Sequence, residues 1–289
     1  MYKDFIIIKQ TMLKQYKNNV ISSETKRGDI NGEQKWATGI IDGDGHIGLE
    51  WTNKEKTKWV PVLKVTLHRY NSRAIYRLKR IFGIGKVTYS ECTITYRVRS
   101  KALWRSVLIP LFGEFHLRSM KYASVLAIKK ALSMQQLGNA TPKNILRLQE
   151  SLDRKTNPIS PIWTNGTDLR HIVDLDWLAG FIEAEGSFYI LHNGQHGFVI
   201  GQAYDQHIIV AIHRLFDVQS ALKNRNSYTM LDTKNTATLY LIANAINNRL
   251  LGIKSFEFSL WLRTLRKKNK AKTLKAKSII ALIRQRCEK

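Results

Sequence analysis

The sequence predicts an α+β fold, mixed α/β in composition, made of two pseudo-symmetric αββαββα halves with antiparallel sheets. Three observations carry this reading. The stretch WATGIIDGDGHIGLE at Trp36 to Glu50 returns as LDWLAGFIEAEGSFYI at Leu175 to Ile190. Each copy is followed by runs in which apolar and polar residues alternate, the period of a half-buried strand. Beyond those runs comes a second echo, IYRLKRIF at 75–82 against IVAIHRLF at 209–216. A repeat that returns in the same order twice describes one architecture built twice. The 289 residues suffice for two such units, each with its own core.

Each motif copy reads as a short apolar helix that stops at a glycine, which can take the left-handed cap. Gly39 and Gly43 lie four apart on one helix face, as do Gly180 and Ala184. Small residues at that spacing let two helix backbones approach closely, so the two motif helices are expected to pack on each other. Asp44 and Glu185 then fall in the last turn of each helix. The helix dipole already places partial negative charge there. Two carboxylates brought together at two helix C-termini require a cation between them, and hard oxygen donors suit Mg²⁺. Asp42 and Glu183 sit two residues earlier and point away by about half a turn. Capping, or a salt bridge with arginine, is their expected role.

In chain order, residues 1–34 form an extension ahead of the first motif. In the first half, 35–134, strands are expected at His46 to Trp51 and Trp59 to His68, with Lys64, Thr66 and His68 on the polar face. An amphipathic helix over Asn71 to Phe82 follows, ended by Gly83. A hairpin pairs Lys86 to Ser90 with Thr93 to Arg99, where Thr95, Arg97 and Arg99 line a face without acids. Lys101 to Leu132 reads as helix interrupted near Pro110 and Gly113. The stretch 135–173 is richer in Gln, Asn, Pro, Ser and Gly and reads as a linker around a short helix near Ile145 to Leu152.

The second half, 174–268, repeats the order. Strands are expected at Ser187 to His192 and Phe198 to Tyr204, with weaker signals at Val218 to Lys223, Ser227 to Leu231 and Ala237 to Leu241. Ser255 to Leu265 reads as a helix with Phe256, Leu260 and Trp261 on its apolar side. Residues 269–289 form a basic tail that is either a solvated face or a phosphate track.

Lysine and arginine number 47 against 22 acids, a net charge of +25. Such an excess predicts attraction to polyanions, nucleic acid before an anionic membrane surface. No apolar run approaches the roughly 20 residues that span a bilayer. Cys92 and Cys287 are the only cysteines, far apart, which excludes a disulfide framework and a cysteine zinc site.

On the paired motifs Ala37 to Gly45 and Leu178 to Gly186, the sequence resembles a single-chain LAGLIDADG homing endonuclease, with Ala37 and Thr38 departing from the family's preference in the first copy. The resemblance spans about Trp36 to Lys268. It implies a monomer whose two sheets form a DNA-binding saddle and which cuts both strands of a long double-stranded DNA target across the minor groove, leaving staggered ends. Asp44 and Glu185, with Gly43 and Ala184 just before them, are the implied metal residues, for Mg²⁺ with Mn²⁺ as a substitute. Lys121 and Lys254 match the basic residue beside each active site. Gln202, and His68 at what reads as the matching position of the first half, are polar or solvent-ordering partners. Lys64, Thr66, His68, Thr95, Arg97 and Arg99 would face DNA, with counterparts near Tyr228 and Thr238. The alternative is an RNA maturase that assists splicing of its host intron, with intron RNA as partner; a DNA-binding regulator without catalysis ranks last. Members are commonly encoded in organelle introns, which points to the mitochondrion, or else the chloroplast.

Overall fold

The computed structural model describes residues 30–152, 173–267 and 269–288. The expected N-terminal extension and the middle of the linker lie outside them, apart from the first turn of helix α1 (Ile30–Asp44). In the first half α1 is followed by β1 (Gly45–Trp51), β2 (Trp59–His68), α2 (Ser72–Phe82), β3 (Lys86–Tyr89) and β4 (Thr93–Val98). Helical segments α3 (Lys101–Leu103), α4 (Ile109–Glu114), α5 (Lys121–Gln136) and α6 (Pro142–Glu150) complete it. In the second half α7 (Leu175–Glu185) leads into β5 (Gly186–Ile190), β6 (His196–Ala203), α8 (Gln206–Leu215), β7 (Lys223–Arg225) and β8 (Tyr228–Thr233). Helices α9 (Thr236–Ile246), α10 (Lys254–Lys267) and α11 (Lys270–Glu288) follow.

Both sheets are four-stranded and antiparallel with the same order, β1-β2-β4-β3 and β5-β6-β8-β7. The alternation that marked the strands sets which face is buried. Ile47, Leu63, Val65, Ile94, Tyr96 and Val98 turn inward onto the helices, and Phe188, Phe198, Ile200 and Leu231 do so in the second half. Gly83 ends α2 with φ 67, a left-handed cap that glycine takes without strain.

The two motif helices form the seam between the halves. A Cβ on Gly39 would lie 2.1 Å from the Trp177 carbonyl oxygen, and one on Gly180 would lie 1.9 Å from that of Trp36. A Cβ on Gly43 would meet that of Ala184 at 2.2 Å. The small-residue spacing therefore does what it predicted: backbone lies against backbone, with Trp36 and Trp177 buried at the contact.

Several elements differ from the sequence-based expectation. The glycines after the motif helices are not left-handed caps. Gly186 is extended (φ −80, ψ 152), and both Gly45 and Gly186 open strands directly. They are glycine because the chain doubles back so tightly that a Cβ would strike Ile41 or Ile182. Ala237 to Leu241 is helical, part of α9, whose N-terminus Asn235 caps by accepting from Thr238 N at 3.1 Å; its alternation was a short apolar run that a helix accommodates equally well. Val218 to Lys223 lies almost wholly ahead of β7. Pro110 and Gly113 do not break the helical run, because a π turn at Trp104–Leu108 just ahead of the proline absorbs it. The break falls at 115–120 instead. Phe256 is 59% exposed, and Phe258 takes the buried place.

The residues after the first half are more ordered in their contacts than a plain linker. In α6, Ile145 is buried and the Gln149 amide brackets strand β1, accepting from Trp51 Nε1 (2.9 Å) and donating to Leu49 O (2.7 Å). The basic run after 269 is also helical. Thr273, Ala276 and Ile280 are buried, and Arg284 donates to Phe188 O at 2.8 Å and Glu257 at 2.7 Å, seating α11 on the second half.

Candidate active site

The two motif helices end side by side, and their last residues, Asp44 and Glu185, meet at the seam. The Glu185 side chain lies over Gly43, where a Cβ would come within 3.2 Å of its Cγ. Asp44 is exposed and Glu185 half-buried, with protein packed around the inner side of both carboxyls. That enclosure raises the Asp44 pKa, against the opposing pull of Lys254 and Lys121. Glu185 is raised first by burial and then by the Asp44 charge, with Lys121 and Lys254 opposing. Glu185 feels the Asp44 charge, and both acids share the same two lysines.

Lys121 and Lys254 are placed symmetrically. The Lys121 ammonium donates to the carbonyl oxygens of Ile41 (3.0 Å), Asp42 (2.6 Å) and Gly43 (2.6 Å). Lys254 donates to Ile182 (3.0 Å), Glu183 (2.7 Å) and Ala184 (3.1 Å). A helix leaves its last carbonyls without partners, and an ammonium carries three donors, so each lysine satisfies one helix end and neutralises its dipole. Burial lowers the Lys254 pKa, opposed by Glu183, Asp44, Glu257 and Glu185. With three donors engaged, these lysines are fixed positive charges beneath the acid pair rather than arms that reach into solvent.

Asp42 and Glu183 face away from the pair, as their helix position requires. Asp42 accepts from Arg118 N and Ser119 N (both 2.9 Å), from Ser119 Oγ (2.5 Å) and, across the seam, from Trp177 Nε1 (2.8 Å). Glu183 accepts from Gly252 N at 2.6 Å. Both cap the segment that leads into a lysine helix; among the described residues neither makes an arginine ion pair within 4 Å, although the Arg118 charge acts on Asp42.

The donor set suits a hard divalent cation: two carboxylates whose charge is disfavoured without one, and oxygen atoms only. Among the described residues no group of three or more His, Cys, Asp or Glu side chains is arranged to hold a metal. Water and phosphate would therefore complete the shell. The Gly43 and Ala184 carbonyls each keep one lone pair beyond the lysine bond.

Gln202 reaches across the seam, its Nε2 3.4 Å from Asp42 O. His68 is not its counterpart. Gly45 pairs with Val65 and Gly186 with Ile200, so Gln202, two beyond Ile200, matches Leu67. The extra residue is taken up by the 3₁₀ turn Arg69–Asn71, where His68 Nδ1 accepts from Tyr70 N at 3.3 Å as a cap.

On the outer face of the first sheet, strand register aligns His46, Lys64, Arg97 and Lys86 in one row across all four strands. Beside it runs a row of Thr66, Thr95 and Thr88, with the Thr66 and Thr95 hydroxyls 2.9 Å apart. Arg99 lies 3.7 Å from Glu50, which tempers its charge. Lys86 and His46 escaped the sequence reading because single-strand alternation does not reveal cross-strand rows. The second sheet is unlike the first. Tyr189 and Tyr228 lie over Gly197 and Gly201, where a Cβ would approach their rings within 2.1 and 2.5 Å. Lys223 is tied to Asp232 at 2.9 Å. Tyr228 is on the expected face, whereas Thr238 is buried in α9.

A family model described as LAGLIDADG endonuclease matches residues 37–132. The chain is 32% identical over 272 residues to a probable intron-encoded endonuclease Cox1-I1b of Schizosaccharomyces pombe, covering 87% of this chain and 69% of that protein. It is 33% identical over 244 residues to a probable intron-encoded endonuclease aI3 of Dictyostelium citrinum, covering 81% and 96%. Among solved structures it resembles I-SmaMI bound to an uncleaved DNA target with calcium ions (TM-score 0.71, 20% identity, 85% and 97% covered). It also resembles I-LtrWI bound to target DNA (TM-score 0.72, 18% identity, 86% and 97% covered).

Proposed function

Because this chain belongs to the LAGLIDADG endonuclease family, we propose that it is a site-specific, metal-dependent homing endonuclease that cuts both strands of a DNA target. The observation that carries the reading is the pair Asp44 and Glu185, one from each half, held at the seam between two capped helix ends. Asp44 and Glu185 would hold a divalent cation such as Mg²⁺, which would stabilise the negative charge that develops on the phosphodiester oxygens. The chain's own contribution is to keep two carboxylates together. Lys121 and Lys254 cancel the helix ends beneath them, Gly43 and Ala184 allow the approach, and Gln202 braces the turn at Asp42.

The two outer sheet faces form the proposed DNA saddle, with an internal pseudo-dyad that lets one chain address both strands. Lys64, Arg97 and Lys86 of the basic row supply phosphate attraction, while His46 at its end lies 3.7 Å from Glu50, and the threonine row beside it offers donors and acceptors to base edges. The tyrosine-covered second sheet makes the saddle asymmetric, which suits a target without a palindrome. The relatives' intron-encoded character supports the same origin for this chain, with the mitochondrion as its proposed compartment.

The experiment is cleavage of a supercoiled plasmid library carrying candidate intron-insertion sequences, with Mg²⁺ and with chelator. Linearisation of one plasmid only when the metal is present is the expected result. Binding without cutting under Mg²⁺ or Mn²⁺ would overturn the nuclease reading and make intron RNA the next substrate to test. For the saddle, the double variant Lys64→Ala with Arg97→Ala should weaken target binding and reduce the slope of log affinity against log salt by about 1–2. An unchanged slope, measured by fluorescence anisotropy in chelator, would remove those two residues from the phosphate contacts.

A further inference from the structure

We infer that Asn71 and Asp205 are positioning residues that act across the pseudo-dyad: each fixes, from one half, the backbone segment that presents the other half's lysine. Asp205 precedes α8 in the second half, and its Oδ1 accepts from Met120 N at 2.8 Å, immediately before Lys121 in the first. Asn71 precedes α2 in the first half, and its Oδ1 accepts from Ile253 N at 3.0 Å, immediately before Lys254 in the second. The two contacts are related by the same pseudo-symmetry as the acids and the lysines.

Each lysine is thus approached through a run of amides whose acceptors alternate in origin. Arg118 N and Ser119 N go to Asp42 of the same half, and Met120 N goes to Asp205 of the other. Gly252 N goes to Glu183 of the same half, and Ile253 N to Asn71 of the other. His207, the second residue of α8, adds a second bond across the seam by donating from Nε2 to Arg118 O at 2.8 Å. Both acceptors converge on Gly252, where a Cβ would lie 2.6 Å from Asn71 Oδ1 and 2.6 Å from Glu183 Oε2. An amide at the start of a helix is commonly satisfied by its own N-cap or by water. Here the acceptor comes from the opposite half. The position of each ammonium under Asp44 and Glu185 therefore depends on the docking of both halves, not on its own half alone.

The consequence is a crossed phenotype. Asp205→Ala damages the lysine of the first half, and Asn71→Ala that of the second. With a target duplex labelled differently on its two strands, Asp205→Ala should slow the strand that Lys121→Met slows, by roughly tenfold, and leave the other within about twofold. Asn71→Ala should do the reverse, matching Lys254→Met. Asp205→Asn and Asn71→Asp retain the accepting oxygen and should restore near-normal rates on both strands. Amide hydrogen exchange, read in chelator without DNA, should quicken at Met120 in Asp205→Ala while Ile253 is unchanged. Equal slowing of both strands, or exchange that rises alike at both segments, would show a general loss of packing and overturn the inference. The strand readout rests on the endonuclease reading, but the exchange readout does not: if the wild type cuts no DNA, exchange alone decides. Should Asp205→Ala fail to fold, Asn71→Ala carries the same test with the halves exchanged.

Discussion

The double variant Asp44→Asn with Glu185→Gln should lose metal-dependent cleavage by roughly a thousandfold or more, the size of several kcal/mol of lost charge stabilisation, while target binding survives. The separation is expected because both acids sit at the helix ends on the seam, whereas the basic row lies on the sheet. A second effect runs the other way. Both carboxyls titrate above their ordinary range, through burial in each case and through the Asp44 charge as well for Glu185. A group whose folded pKa is raised stabilises the fold fully below its unfolded value, and that contribution is lost as pH rises through the folded pKa. At neutral pH without metal the charged pair therefore works against folding, and the amides relieve it. The variant should melt at a higher temperature than the wild type in chelator at pH 7, and the gap should close as the pH falls through the raised pKa values. Strand-resolved cleavage and thermal melts over pH decide it. A variant that still cuts would move the metal site elsewhere; one that melts lower at pH 7 would mean the acids are structural.

How far this site was legible follows from what kinds of contact a sequence records. The motif acids, the small-residue face and the inward strand positions all recur at fixed spacing, so the fold and the acid pair could be read directly. Lys121 and Lys254 carried no local signal for capping, since the carbonyls they bind lie far away in the chain, at separations of 78 to 80 for Lys121 and 70 to 72 for Lys254. His68 does not match Gln202 because the 3₁₀ turn Arg69–Asn71 lengthens the first half by one residue between the strand and α2, which the sequence does not show. A register can be fixed only by the pairing partner, not by the next helix. Ala237 to Leu241 misled for a different reason: five residues are too few to tell a strand from part of a buried helix. Asn71 and Asp205 were invisible because their partners are main-chain amides, which every residue but proline possesses.

The seam itself yields the largest expected effect on stability. Gly180→Ala adds one methyl group, yet its Cβ would lie 1.9 Å from Trp36 O and 3.1 Å from Ile40 N, both backbone atoms that no rotamer change can move. The two helices must separate. Overpacking of this kind costs about 3 kcal/mol at the upper end of its usual range, a fall in Tm of roughly 6–12 °C for a chain of this size. Separation also moves Asp44 away from Glu185, so cleavage should fall further than the loss of folded protein explains. Gly113→Ala is the control. That glycine is helical in α4 and has nothing within 4 Å of an added Cβ, so the same methyl should be neutral or stabilise by about 0.5–1 kcal/mol through helix propensity. Differential scanning calorimetry of both variants, with cleavage measured at equal folded fraction, separates the two outcomes. If Gly180→Ala melts like Gly113→Ala, the motif helices are not held in backbone contact, and the close approach that places both acids at one seam loses its physical basis.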